Sequence, residues 1–206
     1  PQRQILCRMR PTIRELCFTA RRNKMAPLLD RTDSPWLDVP MSRFVYGSLL
    51  APEVLKALLG RVPARTPATL PGYVRRRIKE RVYPALYPDP DSQVDGEVLS
   101  GMSRRELAVL DWFEDEAYTL TKVDVTFDEG SEWPPGESPE PVDAYLDPKV
   151  VMAYVFTSPR DLHGEWDYEE FRQVHLESYV VMCEEFAEDV KHNDLPGDDE
   201  VEDEVE

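Results

Sequence analysis

Hydrophobic and polar positions in the middle of the chain switch between two periods, and the switches mark out the elements. Ser42-Arg43-Phe44-Val45-Tyr46 is a short β-prone run halted by Gly47. Pro52 to Leu59 follows as a helix, with proline near its start and Gly60 just past its end, the usual asymmetry of helix termini. Tyr73 to Arg81 and Val94 to Ser100 read as strands, separated by Tyr83-Pro84-Ala85-Leu86-Tyr87-Pro88-Asp89-Pro90, whose prolines exclude a helix. Ser103-Arg104-Arg105-Glu106 has the form of a capping box, and Leu107, Leu110 and Phe113 then recur at helical spacing; a helix is predicted from about Arg104 to about Phe113. Tyr118 and Leu120, then Val123, Val125 and Phe127, alternate in two phases, which predicts a strand bulged between Leu120 and Val123. Lys149 to Thr157 is apolar and β-branched, the pattern of a buried strand, and Asp167 to about Val190 is a long amphipathic helix.

Strands and helices are thus interspersed. With roughly five short strands and only three helices, the connections are too short for a doubly wound parallel sheet, which points to an α+β fold built on a small mixed β-barrel with flanking helices. The patterning divides the chain into an N-terminal extension (1–42), one folded domain (43–191) and an acidic tail (192–206). Residues 1–24 are Arg-rich and lack apolar periodicity, as in an organelle-targeting leader; a start displaced to Met25 or Met41 explains the same composition. Asp128 to Pro148 reads as an acidic, proline-rich surface loop, and no internal repeat is visible.

Charge narrows the partners. Net charge is −17, but residues 1–24 contribute +6 and Asp194 to Glu206 contribute −8, which leaves the body between them at −15. A nucleic-acid binder needs a basic footprint to neutralise phosphates, so no nucleic-acid partner is expected. No apolar run approaches the length that crosses a bilayer, and no membrane partner is expected either. A small-molecule ligand or another protein remains, the acidic tail being one surface a protein partner could use. Cys7, Cys17 and Cys183 are odd in number and lack Cys-x-x-Cys spacing, which fits a reduced compartment, the cytoplasm or, through the leader, an organelle. His163, His175 and His192 are scattered, and no metal is expected.

Two segments carry candidate chemistry. Tyr46-Gly47-Ser48-Leu49-Leu50, with Ala51 leading into the helix, is a strand-to-helix turn whose unpaired N–H groups and serine hydroxyl suit a carboxylate or phosphate; taken alone, it is equally an ordinary turn whose glycine serves geometry. Leu110-Asp111-Trp112-Phe113-Glu114-Asp115-Glu116-Ala117-Tyr118 sets carboxylates beside aromatic residues at a helix-to-strand junction. An inward-facing carboxylate there is poorly solvated and its pKa rises toward the range of a general base; an outward-facing one is a solvated acidic turn.

Together and in this order, these segments resemble the γ-glutamylcyclotransferase-like superfamily, in which a Tyr-Gly-Ser/Thr-Leu loop follows the first strand and a Phe-Glu motif follows a mid-chain helix. Phe44 to Leu50, Arg81-Val82-Tyr83-Pro84-Ala85, Leu110 to Asp115 and Gly164-Glu165-Trp166-Asp167-Tyr168-Glu169-Glu170 are similar to its plant avirulence-induced-gene-like branch, over about Phe44 to Lys191. The resemblance implies a small β-barrel with a cavity at one mouth, Glu114 as catalytic base and a γ-glutamyl small molecule as substrate. It also implies cyclisation to 5-oxoproline with release of an amine or amino acid, with no cofactor. Tyr46, Gly47, Ser48, Leu49, Leu50 and Ala51, with Tyr83 and Tyr118 as cavity walls, form the expected substrate site. The pattern departs at Leu120, where that branch usually carries arginine, so a silent member that uses the pocket as a binding surface is the competing expectation.

Overall fold

The computed structural model describes residues 42–114, 117–127 and 150–191. The N-terminal extension up to Met41, the acidic loop, the acidic tail, and Asp115 and Glu116 lie outside the described residues. In chain order the elements are β1 (Arg43–Val45), a 3-10 turn (Ser48–Leu50), α1 (Pro52–Leu59), β2 (Ala64–Ile78), β3 (Pro84–Ser100), α2 (Arg104–Phe113), β4 (Tyr118–Asp124), β5 (Thr126–Phe127), β6 (Val150–Phe156) and β7 (Leu162–Glu165). The C-terminal helix begins with a turn at Tyr168–Glu170, passes through a π-helical stretch at Phe171–His175 and continues as α3 (Leu176–Lys191).

Local signals set the helix ends. α1 starts at Pro52 and stops at Gly60, which takes the left-handed conformation (φ 75°) open to a residue without Cβ. α2 opens with a complete capping box: Glu106 N–H donates to Ser103 Oγ (3.2 Å) and Ser103 N–H donates to Glu106 Oε2 (2.7 Å). The C-terminal helix is capped by Asp167, whose carboxylate accepts from Glu170 N–H at 2.7 Å.

The strands form one seven-stranded sheet in the order β4-β6-β1-β3-β2-β5, with β7 paired to β2. The β1–β6 pairing is parallel and the others antiparallel. The sheet is not closed into a barrel, contrary to the expected architecture. Its two ends, β4 and β5, are successive parts of one stretch, Tyr118 to Phe127: β4 pairs with β6, and after Val125 the chain pairs with β2. The sheet therefore curls until one chain segment supplies both edges, but no ladder joins β4 to β5 among the described residues.

Two further expectations change. The prolines around Tyr83 to Pro90 do not separate two strands; this segment is the first half of β3, paired with β2 across Tyr73–Arg77. Pro84, Pro88 and Pro90 fall at even spacing, so their nitrogens share one side of the strand. Within β3, β1 pairs only with Glu97–Leu99, and its ladder leaves Pro84–Pro90 free on that side, where the missing N–H costs no bond. The bulge predicted between Leu120 and Val123 is absent, since β4 runs in unbroken register with β6 from Tyr118↔Phe156 to Asp124↔Val150. The change of phase has another cause: Tyr118 and Leu120 pack with the helices, whereas Val123 and Val125 face the concave side of the sheet.

The middle of the sheet, around β1 and β6, is accordingly buried on both faces. Its concave side holds Phe44, Leu70, Leu86, Val94, Val98 and Val151. The other side packs Val45, Leu99 and Tyr154 against α1, α2 and the C-terminal helix, through Leu55, Leu110, Phe171 and Phe186 among others. Burying a residue of this size contributes about 1.5–3 kcal/mol, and both faces are needed to hold a strand as short as β1 in place. The turn after β1 lies where these two cores meet.

Candidate functional site

The loop from Tyr46 to Ala51 is shaped by what surrounds it. A Cβ on Gly47 would fall 2.6 Å from Pro84 Cγ and 2.8 Å from Cδ, so only glycine lets the loop lie on the start of β3. Arginines of β2 hold its carbonyls: Arg75 Nη1 donates to Tyr46 O (2.7 Å), and Arg65 Nη2 donates to Leu50 O (2.9 Å) while paired with Glu97. The Leu50 and Ala51 N–H groups are used by the turn itself, on Gly47 O (2.9 Å) and Ser48 O (3.1 Å). That leaves the Ser48 and Leu49 N–H groups, which meet no acceptor among the described residues. The donors on offer are thus two adjacent amides, a narrower set than Gly47 to Leu50.

Glu114 caps the C-terminus of α2 in extended geometry (φ −70°, ψ 141°), its N–H still bonded to Leu110 O at 3.1 Å. One turn back, Asp111 accepts from Arg43 Nη2 at 3.3 and 3.4 Å and from the Tyr154 hydroxyl. Arg43 is only 1 % exposed, so its charge is compensated inside the protein by Asp111. The pair ties the end of α2 to β1 and β6 and thereby sets where the chain leaves the helix at Glu114.

Around that carboxylate stand tyrosines from four separate elements. Burial pushes the hydroxyls of Tyr46, Tyr118, Tyr154 and Tyr179 well above their ordinary pKa, and the charge of Glu114 pushes each of them further up. They are neutral donors at physiological pH. Tyr46 donates to Tyr154 O (2.7 Å) and Tyr118 to Pro84 O (2.8 Å). Ser48 Oγ and the Tyr179 hydroxyl share a hydrogen bond of 3.2 Å. The pair has two hydroxyl protons and this contact uses one, so one remains for a ligand. The Tyr83 ring lies 6.4 Å from that of Tyr179.

Of the residues expected from sequence, Tyr46, Ser48, Tyr83, Tyr118 and Glu114 are brought together, while Gly47, Leu49, Leu50 and Ala51 build the loop, with Leu49 and Ala51 buried in the helix-side core. Tyr154, Tyr179, Asp111 and Arg43 were not singled out. Tyr179 stands with Cys183, Phe186 and Val190 at helical spacing, which reads as an ordinary core stripe. Its hydroxyl is the part that matters here, and only the packing of α3 against the loop reveals it. A groove of about 670 Å³ on the far side of α1, bordered by Glu53, Lys56, Arg105, Glu184 and Lys191, holds none of these residues, and we place no chemistry in it. Among the described residues no group of three or more His, Cys, Asp or Glu is arranged to hold a metal ion, and no helix is long and apolar enough to cross a membrane.

The chain matches the family model described as gamma-glutamyl cyclotransferase, AIG2-like, over residues 43–168. It is 42 % identical over 149 residues to AIG2-like protein D of Arabidopsis thaliana, covering 72 % of this chain and 90 % of that protein. It is 40 % identical over 147 residues to AIG2-like protein C of the same plant, covering 70 % and 77 %. A solution structure of another Arabidopsis thaliana protein aligns with a TM-score of 0.48 and 28 % identity, covering 77 % of this chain and 99 % of that one.

Proposed function

The chain belongs to the AIG2-like γ-glutamyl cyclotransferase family, and from that premise we propose that it is itself a γ-glutamyl cyclotransferase, with Glu114 as the base. The observation that carries the reading is the meeting of Glu114 with the Ser48–Tyr179 pair beside two amides that meet no acceptor among the described residues. These are the groups an intramolecular aminolysis requires.

In this reading the substrate's α-ammonium gives a proton to Glu114, and the freed amine attacks the γ-carbonyl carbon of the same glutamyl unit. The new C–N bond closes a five-membered ring. The old amide C–N bond then breaks as Glu114 returns the proton to the departing nitrogen, and the ring nitrogen gives up its second proton, which the departing amine takes up, so 5-oxoproline and an amine or amino acid leave without consumption of water. Well-oriented intramolecular reactions reach effective molarities of about 10⁵ M or more, so positioning is the larger part of the task. The Ser48 and Leu49 N–H groups hold the substrate α-carboxylate, and the remaining proton of the Ser48–Tyr179 pair stabilises negative charge growing on the γ-carbonyl oxygen. Neutral tyrosines suit a site whose base is an anion: they donate hydrogen bonds without adding a charge that would repel it.

The test is a panel of γ-glutamyl amines and γ-glutamyl dipeptides incubated with the full chain, with 5-oxoproline read by mass spectrometry and Glu114→Gln in parallel. We expect product from at least one substrate and its loss in the variant. No product from any substrate would overturn the reaction, and undiminished product in the variant would overturn the base.

A further inference from the structure

We propose that the groove bordered by α1, α2 and α3 is the docking site of the chain's own acidic tail, His192 to Glu206, which braces from outside the two helices that hold the Ser48–Tyr179 contact together.

The groove, of about 670 Å³, has an apolar floor and a charged rim. Leu58, Val109 and Val190 are buried parts of the floor, and Ala57 and Ala187 are partly exposed. Four carboxylates border it, and three of them are answered by cations: Glu53 by Arg172, Glu106 by Arg61 and Glu188 by Lys191. Lys56 and Arg105 stand on the same rim, where the fourth carboxylate is Glu184. Among the described residues the groove is thus surrounded by five cations against four carboxylates, in a chain of net charge −17. α2 also begins here, at Arg104, and its dipole turns a positive end toward the rim.

Three features of the sequence identify the occupant. Lys191, after which the tail begins, itself lines the groove, so the tail departs from its edge. Pro196-Gly197 follows shortly as a turn signal that lets the chain double back. Asp198 to Glu206 then holds seven acids and no cation, with Val201 and Val205 four positions apart. Residues at that spacing share a face in a helix and in an extended strand alike, so both valines meet the floor while the acids meet the rim. Nine extended residues reach about 30 Å, well beyond the roughly 12 Å length of α1. A short tether also holds the segment at about millimolar effective concentration, so a contact too weak to form between separate molecules is populated within one chain.

The contact bears on the site through its two walls. α1 follows the site loop directly from Ala51, and Val180, which lines the groove, is the neighbour of Tyr179, whose hydroxyl bonds with Ser48. A tail that spans α1 and α3 therefore holds the loop to Tyr179.

Thermal midpoints of the full chain and of a chain ending at Lys191 separate docking from mere solvation, because the two predict opposite signs. Removing eight negative charges from an acidic body relieves self-repulsion and, without docking, leaves the midpoint unchanged or raises it. With docking the midpoint falls, by about 2–4 °C. That fall should vanish between about 0.01 M and about 1 M salt, as the Debye length drops from about 30 Å to about 3 Å. Lys56→Glu should lower the midpoint of the full chain and leave that of the shortened chain nearly unchanged. A synthetic peptide of residues 192–206, added to the shortened chain, should shift the amide resonances of Ala57, Val180 and Ala187. An unchanged or higher midpoint on truncation, or a peptide that shifts resonances only elsewhere, would overturn the proposal. If the shortened chain does not fold, Val201→Ser with Val205→Ser in the full chain decides: the same fall is expected, and an unchanged midpoint rejects the docking. A full-chain midpoint that rises with protein concentration assigns the groove to the tail of a second copy and overturns the contact within one chain.

Discussion

The two ends of α2 each carry an acid, and their surroundings differ: Glu106 in the first turn is built into the helix cap, whereas Glu114 at the C-cap is the base of the proposed reaction. Glu106 is enclosed by short-range bonds. Its oxygens receive Arg61 Nε (2.6 Å), Arg61 Nη2 (2.7 Å) and the Ser103 N–H (2.7 Å), while Arg61 also reaches Gly101 O (2.7 Å). Burial alone would raise its pKa, but the bonds from Arg61 and Ser103 outweigh that and hold it below the ordinary carboxylate range. Glu114 stands among hydroxyls that burial, and to a lesser degree its own charge, keep neutral. An acid whose oxygens are bonded to an arginine and to a helix-cap N–H is a strut, and Glu106 is one.

The sharpest way to break the comparison is Glu114→Gln. If that end serves chemistry alone, 5-oxoproline formation should fall by about 10²–10⁴-fold, the usual worth of a general base, with the thermal midpoint nearly unchanged. A large fall in the midpoint would make Glu114 a strut like Glu106. Next comes the anchor between the two roles. Asp111→Asn removes the carboxylate that faces the buried Arg43 charge and should cost about 3 kcal/mol in urea denaturation, toward the low end for a broken buried pair because the Asp111 side chain is 28 % exposed. Turnover should fall as well, because the end of α2 loses its tie to β1 and β6.

Ser103→Ala acts at the other end and should cost about 1 kcal/mol of stability through the lost cap, with turnover retained. The smallest effect is in pH. A carboxylate whose folded pKa lies below its unfolded value contributes stability above the unfolded pKa and loses that contribution as pH falls through the folded one. The difference in thermal midpoint between the unsubstituted protein and Glu106→Gln should therefore be full near neutrality and shrink as pH drops below the ordinary carboxylate range. A difference that grows in acid would contradict the assignment.

Much of this was legible in the residues. Pro52 with Gly60, and Ser103 with Glu106, specify helix ends through bonds and backbone angles within a few positions, and those ends fall where the pattern places them. The resemblance carried by the loop and Glu114 agrees with the family that the chain matches. The strands were harder to read. β7 is largely exposed and offers only Leu162 as a large apolar residue, and the first half of β2 alternates in burial through Thr66, Ala68 and Leu70, of which only the last is strongly hydrophobic, so neither announces itself as a hydrophobic pattern. The two phases of β4 looked like a bulge because a change of buried face and an inserted residue produce the same skip in a one-dimensional pattern.

What the sequence by itself determined is therefore local: helix limits, the glycine turn, the acid after Phe113, and the acidic charge of the body. The tertiary structure alone decided that the sheet curls without closing, that the Ser48 and Leu49 amides meet no acceptor among the described residues, and that Tyr179 reaches the loop from the far end of the chain. It also decided that Arg43 answers Asp111, while Arg75 forms no ion pair among the described residues and holds Tyr46 O instead. The physical reason is range. Caps and turns act through neighbours in sequence, whereas the surroundings of a charge or a hydroxyl are set by whichever distant segments hydrophobic packing brings beside it, and that packing is non-directional and records no partner in the local pattern.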